Sequence, residues 1–116
     1  MFANILIGKT ITLTELKAIT EQGYGFMVKA VVDLDKQIMV IGAELHVDEE
    51  GFLLDSGSEQ ASLWGINIFP DKPRGEWIQF DSMINVRPTQ NNKSRSVENL
   101  DLQKQIKTIV DKLVLA

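Results

Sequence analysis

The chain has 116 residues, no cysteine and a formal net charge of −4 at pH 7. That length fits a single domain, 1–116, with room for an ordinary core, and the missing thiols exclude disulfides, thiolate metal sites and cysteine nucleophiles. No apolar run reaches membrane-spanning length and the start lacks a basic leader, so a soluble, cytoplasmic protein with no membrane partner is expected. Ile5 to Ile7 reads as a short strand or extended arm. Thr12-Leu13-Thr14-Glu15 has the spacing of a capping box, in which threonine and glutamate satisfy orphan backbone donors of a helix start. The helix should run to Glu21 or Gln22 with Leu13, Leu16 and Ala18 or Ile19 inward, and Gly23 can take the left-handed closing position.

Phe26 to Asp33 and Lys36 to Ala43 are rich in β-branched and apolar residues, and the short Leu34-Asp35 connection makes them a hairpin. Val31, Val32, Ile38, Met39, Val40 and Ile41 are apolar on both parities, so these strands should be central and covered on both faces by helices. Ala43 to Asp48 alternates apolar and polar, which predicts a half-wet strand continuation. Glu49 to Gln60 is ambiguous, with a short helix the better reading of Phe52-Leu53-Leu54 despite Gly51. Leu63 to Phe69 reads as a strand ended by the turn-rich 70–75 segment. From Glu76 to Arg87 the parity Ile78, Phe80, Ile84, Val86 suits one long strand or two short ones in phase. Leu102, Ile106, Ile109, Val110 and Leu113 mark an amphipathic C-terminal helix entered near Asn99. The expected architecture is α+β, a mostly antiparallel sheet of about five strands with an N-terminal and a C-terminal helix packed on it.

Charge is unevenly distributed. Between Lys36 and Lys72 there is no Lys or Arg, while Glu44, Asp48, Glu49, Glu50, Asp55, Glu59 and Asp71 lie inside. From Lys72 to Arg95 the balance reverses, with Lys72, Arg74, Arg87, Lys93 and Arg95 facing only Glu76 and Asp81. Such blocks are ordinarily two solvated surfaces; they also suit a homo-oligomer built from opposite patches, or an anion site on the basic one. The acidic total argues against a sequence-specific duplex-DNA binder.

Gly8-Lys9-Thr10 is no phosphate-binding P-loop, because position 3 is alanine and Asn4-Ile5-Leu6-Ile7 cannot wrap phosphates. Gly23-Tyr24-Gly25 precedes a strand and lacks the third glycine of a dinucleotide fingerprint, so it is a turn. Two constellations remain. Glu44, His46 and Asp48 at i, i+2 and i+4 on a strand would share a face, able to orient a histidine base or hold a metal, with Asn67 or Arg87 across a cleft; this is the alternative reading of a small metal-dependent or histidine-assisted hydrolase. The plain explanation is the wet face of a strand. The leading site is the basic, amide-rich loop with Asn85, Arg87, Asn91, Asn92, Lys93 and Arg95, which approaches the start of the last helix. It suits an anionic small ligand, an RNA phosphate backbone or an acidic protein surface. Trp64 and Trp77 could add stacking surface for bases, although core packing is their commoner use. No cofactor and no resident metal are assigned.

The run Glu44-Leu45-His46-Val47-Asp48, then Gly57-Ser58 and Gln60, Leu63-Trp64-Gly65-Ile66-Asn67, Trp77-Ile78, Ile84-Asn85-Val86-Arg87-Pro88 and Asn92-Lys93-Ser94-Arg95 resembles an uncharacterised prokaryotic family, the domain of unknown function numbered 5674. The similarity spans about Val28 to the C-terminal helix. It implies a small single-domain protein and carries over no mechanism, cofactor or catalytic residue.

Overall fold

Thr12 opens the first helix as its spacing predicts. Its side chain accepts from the Glu15 amide at 3.1 Å while the Glu15 carboxylate accepts from the Thr12 amide at 3.0 Å, closing the capping box. The computed structural model describes residues 1–116, in the order β1 (Ile5–Ile7), β2 (Ile11–Thr12), α1 (Leu13–Gln22), β3 (Val28–Asp33), β4 (Ile38–Ile41), α2 (His46–Asp55), β5 (Leu63–Ile68), β6 (Ile78–Gln79), α3 (Leu100–Leu113) and β7 (Val114–Leu115). The fold is α+β. Strands β1-β4-β3-β5-β6 make a five-stranded antiparallel sheet, and β2 pairs with β7 in a separate parallel ribbon. The first helix therefore follows two strands instead of opening the chain.

Because β3 and β4 are apolar on both parities, both sheet faces need cover, and helices supply it on both sides. On one face Val28, Ala30, Val32, Met39, Ile41, Ile66 and Ile68 pack with Leu16 of α1 and with Ile106, Ile109, Val110 and Leu113 of α3. On the other, Val31, Val40 and Leu63 meet Leu53 of α2. Asn99 caps α3, its Oδ1 accepting from Asp101 N at 2.8 Å and Leu102 N at 3.2 Å, as the entry near that residue predicts.

Three local expectations are corrected. The strand continuation through Ala43 to Asp48 is absent: helix α2 begins at His46, so Glu44, His46 and Asp48 do not share a face. The stretch from Glu76 to Arg87 is neither one long strand nor two in phase; only Ile78 and Gln79 join the sheet, Arg87 makes an isolated antiparallel bridge with Asn92, and 3-10 turns lie at Met83–Asn85 and Pro88–Gln90. Ile78 and Phe80 pack on the α1/α3 face and Ile84 on the α2 face, which breaks the apparent phase. Gly23 closes α1 with φ −103°, and the left-handed conformation falls instead to Gly25 at φ 91°, where the missing Cβ makes it inexpensive.

Candidate functional site

Beyond Asn67 and Ile68, which pair with β6, the outer edge of β5 has no strand beside it. Backbone groups on such an edge need partners, and side chains of the 85–96 segment supply them. Asn85, fully buried, accepts from Gly65 N through Oδ1 at 2.8 Å and donates through Nδ2 to Gly65 O at 2.9 Å and to Arg95 O at 3.0 Å. Its amide thus imitates one residue of a pairing strand. Gly65 leaves space for this approach: a Cβ there would meet Ser82 Oγ at 2.6 Å.

Arg87 extends the substitution toward the start of β5. Its guanidinium donates to Ile84 O at 3.0 Å, to Gln60 O at 2.8 Å and to Leu63 O, and stacks 4.6 Å from the centre of the Trp64 ring. Glu50 of α2 lies 3.8 Å away as counter-charge. Burial lowers the Arg87 pKa, and Glu50 opposes that shift. Asn92, also buried, donates to Asn85 O at 2.7 Å, Ser94 O at 3.2 Å and Ser96 O at 2.7 Å, while its Oδ1 accepts from Glu98 N at 2.9 Å. These contacts place three of the six expected ligand-binding residues inside the loop.

The other three point outward. Asn91 is exposed in the left-handed conformation at φ 58°, which asparagine tolerates. Lys93 is exposed, and its amide and that of Ser94 donate to Glu98 Oε2 at 3.0 and 2.8 Å. Hydrogen bonding from Ser94, followed by those amides and the Lys93 charge, lowers the Glu98 pKa. Arg95 Nε pairs with Asp81 Oδ1 at 2.7 Å, yet its side chain is 56% exposed.

The second constellation is divided between two environments. Glu44 and Asp48 are exposed, whereas His46 is buried at 7% of its full surface. Its Nε2 lies 2.7 Å from Ile66 O; a carbonyl only accepts, so Nε2 carries the proton. Burial pushes the imidazole pKa down to about 4, with Lys29 and Arg95 acting in the same direction and the Ile66 contact and Asp81 against it. Asn67 donates to Gln79 Oε1 at 2.9 Å and Asp81 O at 3.3 Å. Arg87 lies against Trp64 instead of across a cleft from His46. No three His, Asp or Glu side chains converge at a geometry that could hold a metal ion.

Trp64 and Trp77 are core residues, 1% and 4% exposed, and each carries an arginine on its face, Arg87 at 4.6 Å and Arg74 at 4.0 Å. The partners that sequence reasoning missed are Glu50, Gly65 and Asp81. Glu50 and Asp81 were visible as acids without a role, but nothing in their spacing links them to arginines dozens of positions away or across a turn. No curated protein and no solved structure matches the chain. Residues 5–113, by contrast, match the family described as protein of unknown function, DUF5674, and the chain belongs to that family.

Proposed function

We propose that the protein is a small non-enzymatic interaction module whose contact surface is the outward side of the 85–96 loop, and that its partner is an acidic protein surface. The observation that carries this reading is how the loop is built. Asn85, Arg87 and Asn92 hold a segment without long regular structure in one shape, so Pro88 to Asn91 and Lys93 to Arg95 are ordered before any partner arrives. A loop ordered on a rigid scaffold loses less entropy on binding.

Chemistry favours a protein over RNA. Met83 and Val86 are exposed at 66% and 38% on the same segment as Lys93 and Arg95, which combines apolar anchors with cations in the manner of protein contact patches. The tryptophans that could have stacked on bases are buried under arginines. The hydrolase alternative has less support, because the proton-bearing nitrogen of His46 is engaged by a backbone carbonyl. An NMR titration with a Glu/Leu-rich peptide tests the reading: amides of 83–95 should shift, and Lys93→Glu combined with Arg95→Glu should abolish the response. An unresponsive loop ends the proposal, and a response to short RNA alone transfers it to a phosphate backbone.

A further inference from the structure

Between α2 and the arm that leads into β1 runs an open groove of about 540 Å³, whose lining combines Phe2, Val47 and Phe52 with Glu44, Asp48 and Asp55. No lysine, arginine or histidine lines it. The four ion pairs of the molecule are Lys17–Asp71, Arg74–Asp111, Arg87–Glu50 and Arg95–Asp81, so the three groove carboxylates have no cationic partner. Exposed acids are ordinary on a chain of net charge −4. Two features of the helix beneath them are not.

Asp55 is the last residue of α2, where the helix dipole disfavours a carboxylate, and the last turn contains no basic residue to offset it. Gly51 lines the same groove from the middle of the helix, with nothing within 4 Å of an added Cβ. Glycine in a helix interior is less stable than alanine, and its bare backbone keeps the groove open to a side chain arriving from outside. Both residues weaken their own helix. Both suit an occupant that brings cations and side-chain bulk.

The 85–96 loop reaches α2 from the opposite side. Arg87 sits 3.8 Å from Glu50 and Ile84 packs against the Leu53 cluster, whereas the groove lies toward β1, the strand at the other edge of the sheet. Lys93 has no ion-pair partner, and Arg95, though paired with Asp81, keeps more than half of its side chain exposed. A basic loop and an acidic groove thus flank one helix, and Val47, Leu54 and Met83 are exposed on that helix and the turn packed against it. We infer that a second copy of this chain is the acidic partner: each loop docks through Lys93 and Arg95 on the other copy's Glu44, Asp48 and Asp55 in a twofold dimer. An axis across α2 makes the two contacts identical and places the apolar side chains near it. Charges at the rim fix register and add modest affinity, so the dimer is weak and salt-sensitive. The inference rests on the loop surface proposed above and names its partner.

Sedimentation equilibrium of the full chain should show a mass that rises with concentration from 13.0 kDa toward twice that value and falls back in high salt. Two variants carry the test. Lys93→Glu with Arg95→Glu makes the loop acidic; Glu44→Lys with Asp55→Lys makes the groove basic and spares Asp48, which supports the first turn of α2. Each variant alone should be monomeric, because like charges then meet at both contacts. Their equimolar mixture should dimerise, since each altered site meets its opposite on the other variant, a rescue that misfolding cannot imitate. Gly51→Gln should hold or raise Tm while weakening the dimer at least threefold. A monomer mass up to about 1 mM, where even millimolar affinity registers, overturns the proposal. So does a dimer that survives either reversal or the filled groove, or a mixture that shows no rescue. If the chain stays monomeric while its loop still answers the Glu/Leu-rich peptide, self-pairing alone fails and the acidic partner is another protein. A loop that answers neither ends both readings.

Discussion

Arg87, a candidate binding group by its place in the sequence, spends its side chain on contacts within the molecule. Its three guanidinium nitrogens reach Ile84 O, Gln60 O and Leu63 O, carbonyls from separate parts of the chain, and its planar face lies on Trp64. A lysine keeps the charge but offers neither the fork nor the plane. Arg87→Lys should therefore destabilise the fold by about 2–4 kcal/mol, close to the effect of Arg87→Met, because the loss of donors to buried carbonyls is common to both and outweighs the counter-charge to Glu50 that only the methionine removes. Urea unfolding of the two variants checks this; a lysine variant within about 0.5 kcal/mol of wild type would mean that charge alone matters. Gly65 makes a related prediction. A methyl there would stand 2.6 Å from Ser82 Oγ and 2.7 Å from Ser82 Cβ, so Gly65→Ala should cost about 1–3 kcal/mol through overpacking. Ser82→Gly should recover part of that loss in a double-mutant cycle, although Ile84 Cγ1 at 3.1 Å remains in the way. Additive effects would show that the two sites do not touch.

At the scale of elements, what was legible followed apolar period and capping chemistry. The α1 capping box, the Asn99 cap, β5 and the β3–β4 hairpin all follow from residues whose local preference agrees with their burial, although the hairpin loop takes in four residues, 34–37, instead of Leu34-Asp35 alone. Helix α2 was not legible at its start because its pattern is inverted. Its buried positions are His46, Glu49, Glu50 and Leu53, helical in spacing but mostly polar, while Val47 and Leu54 are exposed at 54% and 39%. Alternation of Leu45 and Val47 with polar neighbours then imitates a strand, since period is read from apolar residues. The site divided for a similar reason: Asn85, Arg87 and Asn92 look like surface groups in sequence, and only the unpaired edge of β5 gives them an interior role. Gly51 offers a test of α2. It lies in the helix interior with nothing within 4 Å of an added Cβ, so Gly51→Ala should stabilise the protein by about 0.5–1 kcal/mol. A loss in calorimetric Tm would show that the position is constrained by something other than helix propensity.

For the whole molecule, the buried ionisable groups of α2 set how stability follows pH, and two of them act in opposite directions. Burial lowers His46 from 6.5 to about 4, so below 6.5 the unfolded chain takes up the proton first. The stability contributed by neutral His46 is complete above 6.5 and is lost as pH falls toward 4. Burial raises Glu49 from 4.5 to about 10, against the Ala43 amide that donates to its Oε2 at 3.1 Å and the nearby Lys29 charge; Glu49 Oε1 has no partner. The folded chain therefore holds this proton more tightly than the unfolded one. The corresponding stability is complete below 4.5 and is lost as pH rises toward 10. Between 4.5 and 6.5 the two slopes offset each other, and above 6.5 Glu49 acts alone, each pH unit costing about 1.4 kcal/mol. Urea midpoints should accordingly stay level from pH 4.5 to 6.5 and then decline into the alkaline range. Glu49→Gln keeps an amide oxygen for Ala43 N and has no proton to lose. It should turn the level region into a rise and remove the decline, leaving the variant more stable than wild type at pH 8 by several kcal/mol. Parallel midpoint curves for the two proteins between pH 6.5 and 9 would mean that Glu49 is already ionised in the folded chain, with Lys29 as its counter-ion.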